Sequence, residues 1–254
     1  MTSLVALVTG GSRGIGRAIC VAFGAQGHTV VPVGRDTKAL AETTLLVRAA
    51  GGPDSAGVTC DMHHASAIDE MVRSVIARHG RIDILVNNAG GGTSTRPMTA
   101  DETPDADWLD TLDLNLTSVF RTCKAVAPYM KSQRSGVIVS VASIASRQPS
   151  NLSGIAYTAA KSGLAGLNRH LAKELGPFGV RVNAVAPGII ASERVQAKFG
   201  TYTEAERGAI NARIPLGRIG TVEEVASVVA FLASPAASYV HGALIDINGG
   251  MFMA

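Results

Sequence analysis

Short runs of β-branched and apolar residues alternate along the chain with longer stretches whose apolar positions return every three or four residues. The short runs cover 4–9, 29–33, 56–60, 82–86, 136–141, 180–184 and 243–247; the helical stretches lie near 14–26, 37–50, 64–79, 107–132, 155–175 and 222–233. A strand covered on both faces reads as a continuous apolar run, whereas a crossover helix shows a one-sided stripe. Their alternation predicts βαβ units, because parallel neighbours need a crossover of a dozen or more residues. Seven strands predict an α/β fold, a doubly wound parallel sheet with helices on both faces. Ligands in such sheets gather at the carboxyl ends of the strands, so the chemistry is sought in the loops that follow them.

The 254 residues carry 46% hydrophobic side chains, enough to bury a substantial core. No Pro-, Gly- or Ser-rich linker and no repeat divides them, so one domain over 1–254 is expected. The irregular stretch 189–216, with mixed charges, Gly200 and Pro215, suits a helical lid over a pocket. A net charge of +3 with scattered Lys and Arg, together with 4% aromatics, offers neither a phosphate-tracking stripe nor a stacking platform, and argues against nucleic acid. No apolar run reaches the roughly 20 residues of a membrane helix. The opening Leu4–Val8 lacks a preceding basic segment and runs into a glycine loop, so it reads as a buried strand and not a signal peptide. Cys20, Cys60 and Cys123 are far apart without CxxC spacing, as expected for reduced core thiols in the cytoplasm. His63 and His64 lack companion ligands, so no metal is expected.

The first strand ends in Thr9-Gly10-Gly11-Ser12-Arg13-Gly14-Ile15-Gly16, and a helix pattern follows at once. Gly10 permits a tight turn, Gly14 lets backbone approach a pyrophosphate, and Gly16 lets helix pack on strand. The helix N-terminus then offers free N–H groups to an anion. A glycine turn alone is often only a turn; its place between strand and helix in the first βαβ unit makes it a dinucleotide site. The second strand ends in Gly34-Arg35 where an acidic ribose-binding residue would mark NAD, and Arg13 and Arg35 can converge on a 2′-phosphate, which favours NADP. Asp36 leaves room for NAD.

A second cluster is Ala156-Tyr157-Thr158-Ala159-Ala160-Lys161 at a helix start. Residues four apart share a helix face about 6 Å apart along the axis, so an ammonium can sit beside the phenol. Bringing a phenol from about 10 to about 7 takes roughly 4 kcal/mol, which a fixed positive charge helps supply.

The spacing GxxxGxG, followed by YxxxK, resembles the short-chain dehydrogenase/reductase family, and the likeness spans essentially the whole chain. It implies a single Rossmann-type domain and hydride transfer between a nicotinamide and a carbonyl or secondary alcohol. Asp61 and Met62 resemble the family's adenine contact, and Asn87-Asn88-Ala89-Gly90 its NNAG segment beside the cofactor. The resemblance implies an Asn-Ser-Tyr-Lys tetrad of Asn115, Ser143, Tyr157 and Lys161. In it Tyr157 exchanges the proton, Ser143 donates to the substrate oxygen, Lys161 tunes Tyr157 and holds the ribose, and Asn115 holds a water. Ser140 and Ser146 are rivals to Ser143. Pro187, Gly188, Ile190 and Ser192 resemble the turn beside the carboxamide, with Ser192 where threonine is usual. Gly217–Gly220 and Asp246–Gly250 complete the likeness. It points most closely to the 3-oxoacyl-carrier-protein reductase branch, with sugars, steroid-like or small ketones as other substrates, and a silent dinucleotide sensor as the alternative of another class. The loops 91–104 and 189–216 would line the substrate pocket, Arg194, Lys198 and Arg207 could meet an acidic carrier protein, and a homotetramer is expected.

Overall fold

A computed structural model describes residues 3–91, 99–149 and 154–253; half of the first expected substrate loop, 92–98, lies outside the described residues. The strands are β1 (Val5–Thr9), β2 (Thr29–Gly34), β3 (Val58–Thr59), β4 (Ile84–Asn87), β5 (Gly136–Val141), β6 (Val180–Pro187) and β7 (Leu244–Ile247). They form one seven-stranded sheet in the order β3-β2-β1-β4-β5-β6-β7, and every pairing is parallel. The chain winds outward from β1 to β3, then returns to place β4 on the other side of β1. That reversal opens a crevice at the carboxyl ends of β1 and β4.

The pleat sends alternate side chains of β1 into two cores. Val5 and Leu7 join residues of α3 (Ala65–His79), α5 (Ser118–Gln133) and α6 (Ile155–Leu175) on one face. Ala6 and Val8 join Ile19 and Phe23 of α1 (Gly14–Ala25), Val47 of α2 (Thr37–Ala49) and Val225 and Val229 of α9 (Val222–Ala233) on the other. Helix starts follow the sequence: the Asp36 side chain accepts from Ala39 N at 3.1 Å to cap α2, and Thr221 with Glu224 forms a capping box on α9. The stretch 189–216, expected to be a lid, contains two short helices, α7 (Glu193–Phe199) and α8 (Glu204–Asn211).

Three elements differ from expectation. The third strand, expected over 56–60, pairs only at Val58 and Thr59, because as an edge strand it has β2 alone for a partner. The sixth runs three residues further, to Pro187. The helix expected over 107–132 is instead α4 (Asp105–Leu112), a π-helical turn (Asp113–Thr117) and α5, with Asn115 on that turn.

Candidate active site

Thr9 and Asn88 clasp the ends of β1 and β4 together. Thr9 Oγ1 accepts from Asn88 N at 3.0 Å and Ala89 N at 3.1 Å, and Asn88 Nδ2 donates to the carbonyls of Thr9 and Gly10, each at 3.1 Å. Gly10 and Gly14 take φ of 65° and 54°, left-handed values that suit glycine. A Cβ on Gly16 would collide with the Gly10 carbonyl oxygen, so α1 can approach the turn only with glycine there. Helix α1 has no acidic residue in its first turn, and its N-cap Arg13 makes no side-chain cap. Its leading N–H groups therefore face the crevice with a positive dipole end.

The crevice has a volume of about 930 Å3, toward the upper end of the roughly 300–1,000 Å3 usual for small-molecule sites. Gly10, Ser12, Arg13, Gly14 and Ile15 line it, as do Arg35, Asp61, Met62, Asn88, Ala89 and Gly90. So do Ser143, Tyr157, Lys161, Pro187, Gly188, Ile190 and Ser192. Gly16 and Asn115 do not: Gly16 lies beneath the turn, and Asn115 stands behind Gly90 and Gly91. Together the cradle of N–H groups and the volume of the crevice fit a dinucleotide. At its outer end, Arg13 pairs with Asp36 at 3.2 Å and Arg35 approaches Asp61 at 3.9 Å, all four being substantially exposed. The turn at Pro187-Gly188 is backed by Asn248, against which a Cβ on Gly188 would lie at 2.9 Å.

At the inner end, β5 delivers Ser143 onto a short 3-10 turn, where its Oγ accepts from Ala145 N at 3.1 Å. Tyr157 lines the same wall. Ser140 instead lies 3.4 Å from Asn87 Nδ2 in the core, and Ser146 Oγ donates to Ser143 O at 2.6 Å, so of the three serines Ser143 is the one on the crevice wall. Lys161, one turn past Tyr157 on α6, is 3% exposed. Its Nζ donates to Val141 O at 2.9 Å and lies 5.6 Å from the Tyr157 ring centroid. Burial brings this ammonium down to about 8.

Burial pushes the Tyr157 phenol above its ordinary value, while the Ser143 hydrogen bond and the charge of Arg194 pull it down. Lys161, expected to tune this phenol, gives one of its three N–H groups to Val141 O and stands beside the ring. Asn115 is fully buried; it accepts from Gly91 N and donates to Gly91 O and Thr111 O, each at 2.9 Å. A Cβ on Gly90 would come within 2.6 Å of Asn115 Oδ1 and 3.4 Å of Lys161 Nζ. Asn115 thus fixes the strand-end backbone that leaves room for the lysine.

Sequence reasoning did not single out Thr9 or Glu193. Glu193 Oε1 accepts from Gly14 N at 3.3 Å, bringing α7 onto the glycine turn. Arg194 lines the inner end, its Nη1 2.8 Å from where a Cβ on Gly91 would stand. Among the described residues no group of side chains could hold a metal ion, and no helix is long and apolar enough to cross a membrane.

The family model described as enoyl-(acyl carrier protein) reductase matches residues 10–252. The 3-oxoacyl-[acyl-carrier-protein] reductase of Escherichia coli strain K12 is 38% identical over 98% of this chain and 97% of its own length. The Synechocystis protein of the same description is 39% identical over 100% and 98%. A solved structure described as a short-chain dehydrogenase/reductase from Burkholderia xenovorans superposes with a TM-score of 0.91 at 37% identity, covering 98% of this chain and 96% of that one. The crystal structure of gox2181 gives 0.91 at 36%, covering 99% and 96%. Fold, glycine turn, Ser-Tyr-Lys geometry and near full-length likeness lead to one conclusion: the chain belongs to the short-chain dehydrogenase/reductase family of nicotinamide-dependent oxidoreductases.

Proposed function

We propose that the chain is an NADPH-preferring reductase of 3-oxoacyl thioesters. The observation that carries this is the pair of hydroxyl side chains, Ser143 and Tyr157, set together on the crevice wall beyond a phosphate-binding turn. Two donors on one spot suit a single carbonyl oxygen. The thioester is suggested by the relatives described as 3-oxoacyl-[acyl-carrier-protein] reductases.

When bound, the cofactor supplies or accepts the hydride. The residues that would hold it are the N–H groups of the 10–16 turn for the pyrophosphate and Asp61 with Met62 for the adenine. Lys161 would take the inner ribose, and Pro187, Gly188, Ile190 and Ser192 the carboxamide. Ser143 donates a hydrogen bond to the substrate oxygen, and Tyr157 gives it a proton as negative charge builds there. Arg194, on the lid, and Ser143 favour the resulting phenolate. Asn115 keeps Gly90 and Gly91 in place, so that Lys161 stays beside Tyr157.

The family description names enoyl reduction as well. NADPH oxidation should therefore be followed with an acetoacetyl thioester, a crotonyl thioester, simple ketones and a sugar in parallel. Turnover of the acetoacetyl thioester with the crotonyl thioester inert is expected. The reverse pattern would replace the reading with enoyl reduction, a better ketone would move the substrate class, and binding without any turnover would leave a sensor.

NADPH preference rests on Arg35 and Arg13. Changing Arg35 to Ala is expected to lower kcat/KM with NADPH by about tenfold to a hundredfold, the worth of one charge-assisted bond to a phosphate, and to leave NADH nearly unchanged. Equal losses with both cofactors would remove Arg35 from 2′-phosphate recognition. Lid cations Arg194, Lys198 and Arg207 suit an acidic carrier protein.

A homotetramer is part of the same proposal. Exposed Leu109 and Phe120 on α4 and α5, and Leu216, Phe231 and Met253 toward the C-terminus, supply two apolar sets for two symmetric interfaces. A monomeric sedimentation mass would refute it.

A further inference from the structure

Most contacts of the glycine turn come from its own βαβ unit or from the Asn88 segment. One comes from 179 residues away: Gly14 N donates to Glu193 Oε1 at 3.3 Å. Glu193 Oε2 lies 3.3 Å from where a Cβ on Gly14 would stand, and Ser192 Cβ lies 3.4 Å from it. The first residue of α7 is thereby laid against the first residue of α1. Helix α1 brings no acid of its own to that end, so the charge facing its positive pole is a carboxylate on the lid. A carboxylate there makes the same kind of contact that a phosphate would, negative oxygen to a helix-leading N–H.

We propose that Glu193 is an internal stand-in for the dinucleotide pyrophosphate, holding α7 on the turn until cofactor displaces it and thereby setting the affinity and release rate of the cofactor. The proposal rests on the dinucleotide reading given above. Pyrophosphate and carboxylate cannot share the Gly14 N–H, and their like charges repel at contact distance. Binding therefore requires Glu193 to leave, and release is assisted when it returns. The next residue, Arg194, lines the inner end beside Gly91 and acts on Tyr157. Moving Glu193 off the turn therefore moves a cation that acts on the Tyr157 phenol, so that cofactor entry and the shape of the substrate pocket are linked through two adjacent residues.

The test is calorimetric titration of the whole chain with NADPH, inorganic pyrophosphate and 2′-AMP, in wild type, Glu193→Gln and Glu193→Ala. The 2′-AMP probe carries the adenine, ribose and 2′-phosphate but does not reach Gly14. Both variants are expected to bind NADPH about threefold to thirtyfold tighter, a range that corresponds to roughly 0.7–2 kcal/mol. Pyrophosphate should gain similarly and 2′-AMP should not change. Stopped-flow release of NADP should slow in parallel. Unchanged or weaker NADPH binding in both variants would overturn the proposal, as would an equal gain for 2′-AMP, which would mean a diffuse charge effect. If wild type and both variants bind 2′-AMP and pyrophosphate but no dinucleotide, the dinucleotide reading fails, and the proposal with it.

Discussion

Replacing Tyr157 with phenylalanine is expected to lower kcat by about 10²- to 10⁴-fold, the usual worth of a positioned proton donor, while the dissociation constant for NADPH stays within about twofold. The ring remains to pack at the head of α6, and only the hydroxyl on the crevice wall is lost. The pH dependence follows from the raised phenol. A group whose protonated form is favoured keeps its proton at neutral pH, so carbonyl reduction should be nearly flat from pH 6 to 8. Alcohol oxidation needs the phenolate and should climb by up to about tenfold per pH unit until the phenol titrates. A wild-type oxidation rate that ignores pH, or a Phe variant that keeps its turnover, would remove Tyr157 from proton transfer.

Changing Lys161 to methionine is expected to separate activity from stability. Turnover should fall by about 10²-fold or more, and cofactor binding should weaken with it, because the ammonium beside Tyr157 is gone. Stability should move the other way at neutral pH. The lysine is down at about 8 in the fold against an ordinary value near 10.5, so the folded state disfavours its charge. That cost is about 3 kcal/mol below pH 8. Between pH 8 and 10.5 the unfolded chain holds the proton more tightly than the folded one, so wild-type stability rises with pH and the cost disappears. The variant loses the bond to Val141 O, which offsets about 1–3 kcal/mol. It should therefore melt as high as wild type, or a few degrees higher, at pH 7 and lose that advantage toward pH 10. A melting difference that is the same at pH 7 and pH 10 would contradict the buried-charge account.

The sheet was readable because buried parallel strands announce themselves as apolar runs: Leu4 to Thr9 and Val137 to Val141 need no partner to be recognised. The edge strand was overdrawn because pairing length depends on the neighbour, and β3 has one. The π turn at Asp113–Thr117 was hidden within Leu112–Leu116, which looks like an unbroken helical run. Its one signal was a buried amide in apolar company, and the partner that explains it, Gly91, lies 24 residues upstream. The same limit concealed Glu193. It read as one of several lid charges, since nothing local indicates that a side chain reaches a turn 179 residues earlier. The Ser-Tyr-Lys cluster was legible because Tyr157 and Lys161 share a helix face. Choosing Ser143 among three serines rested on the family likeness, because their side chains diverge only once the 3-10 turn after β5 is in place.

The three thiols form a graded set of reporters on opening of the fold. Cys20, on α1, is in one core layer and Cys123, on α5, in the other. Burial raises both, Cys123 up to about 12. Cys60 is raised to about 11 and stands on the crevice wall beside Asp61. Since alkylating reagents attack the thiolate, none of the three reacts quickly until its surroundings open. Cys60 is released by a breach of the sheet edge, and whatever fills the crevice shields it; Cys20 and Cys123 are released only when a whole layer parts. The order in which the chain takes up a thiol label therefore reads out which layer parts first, with no residue substituted to carry it.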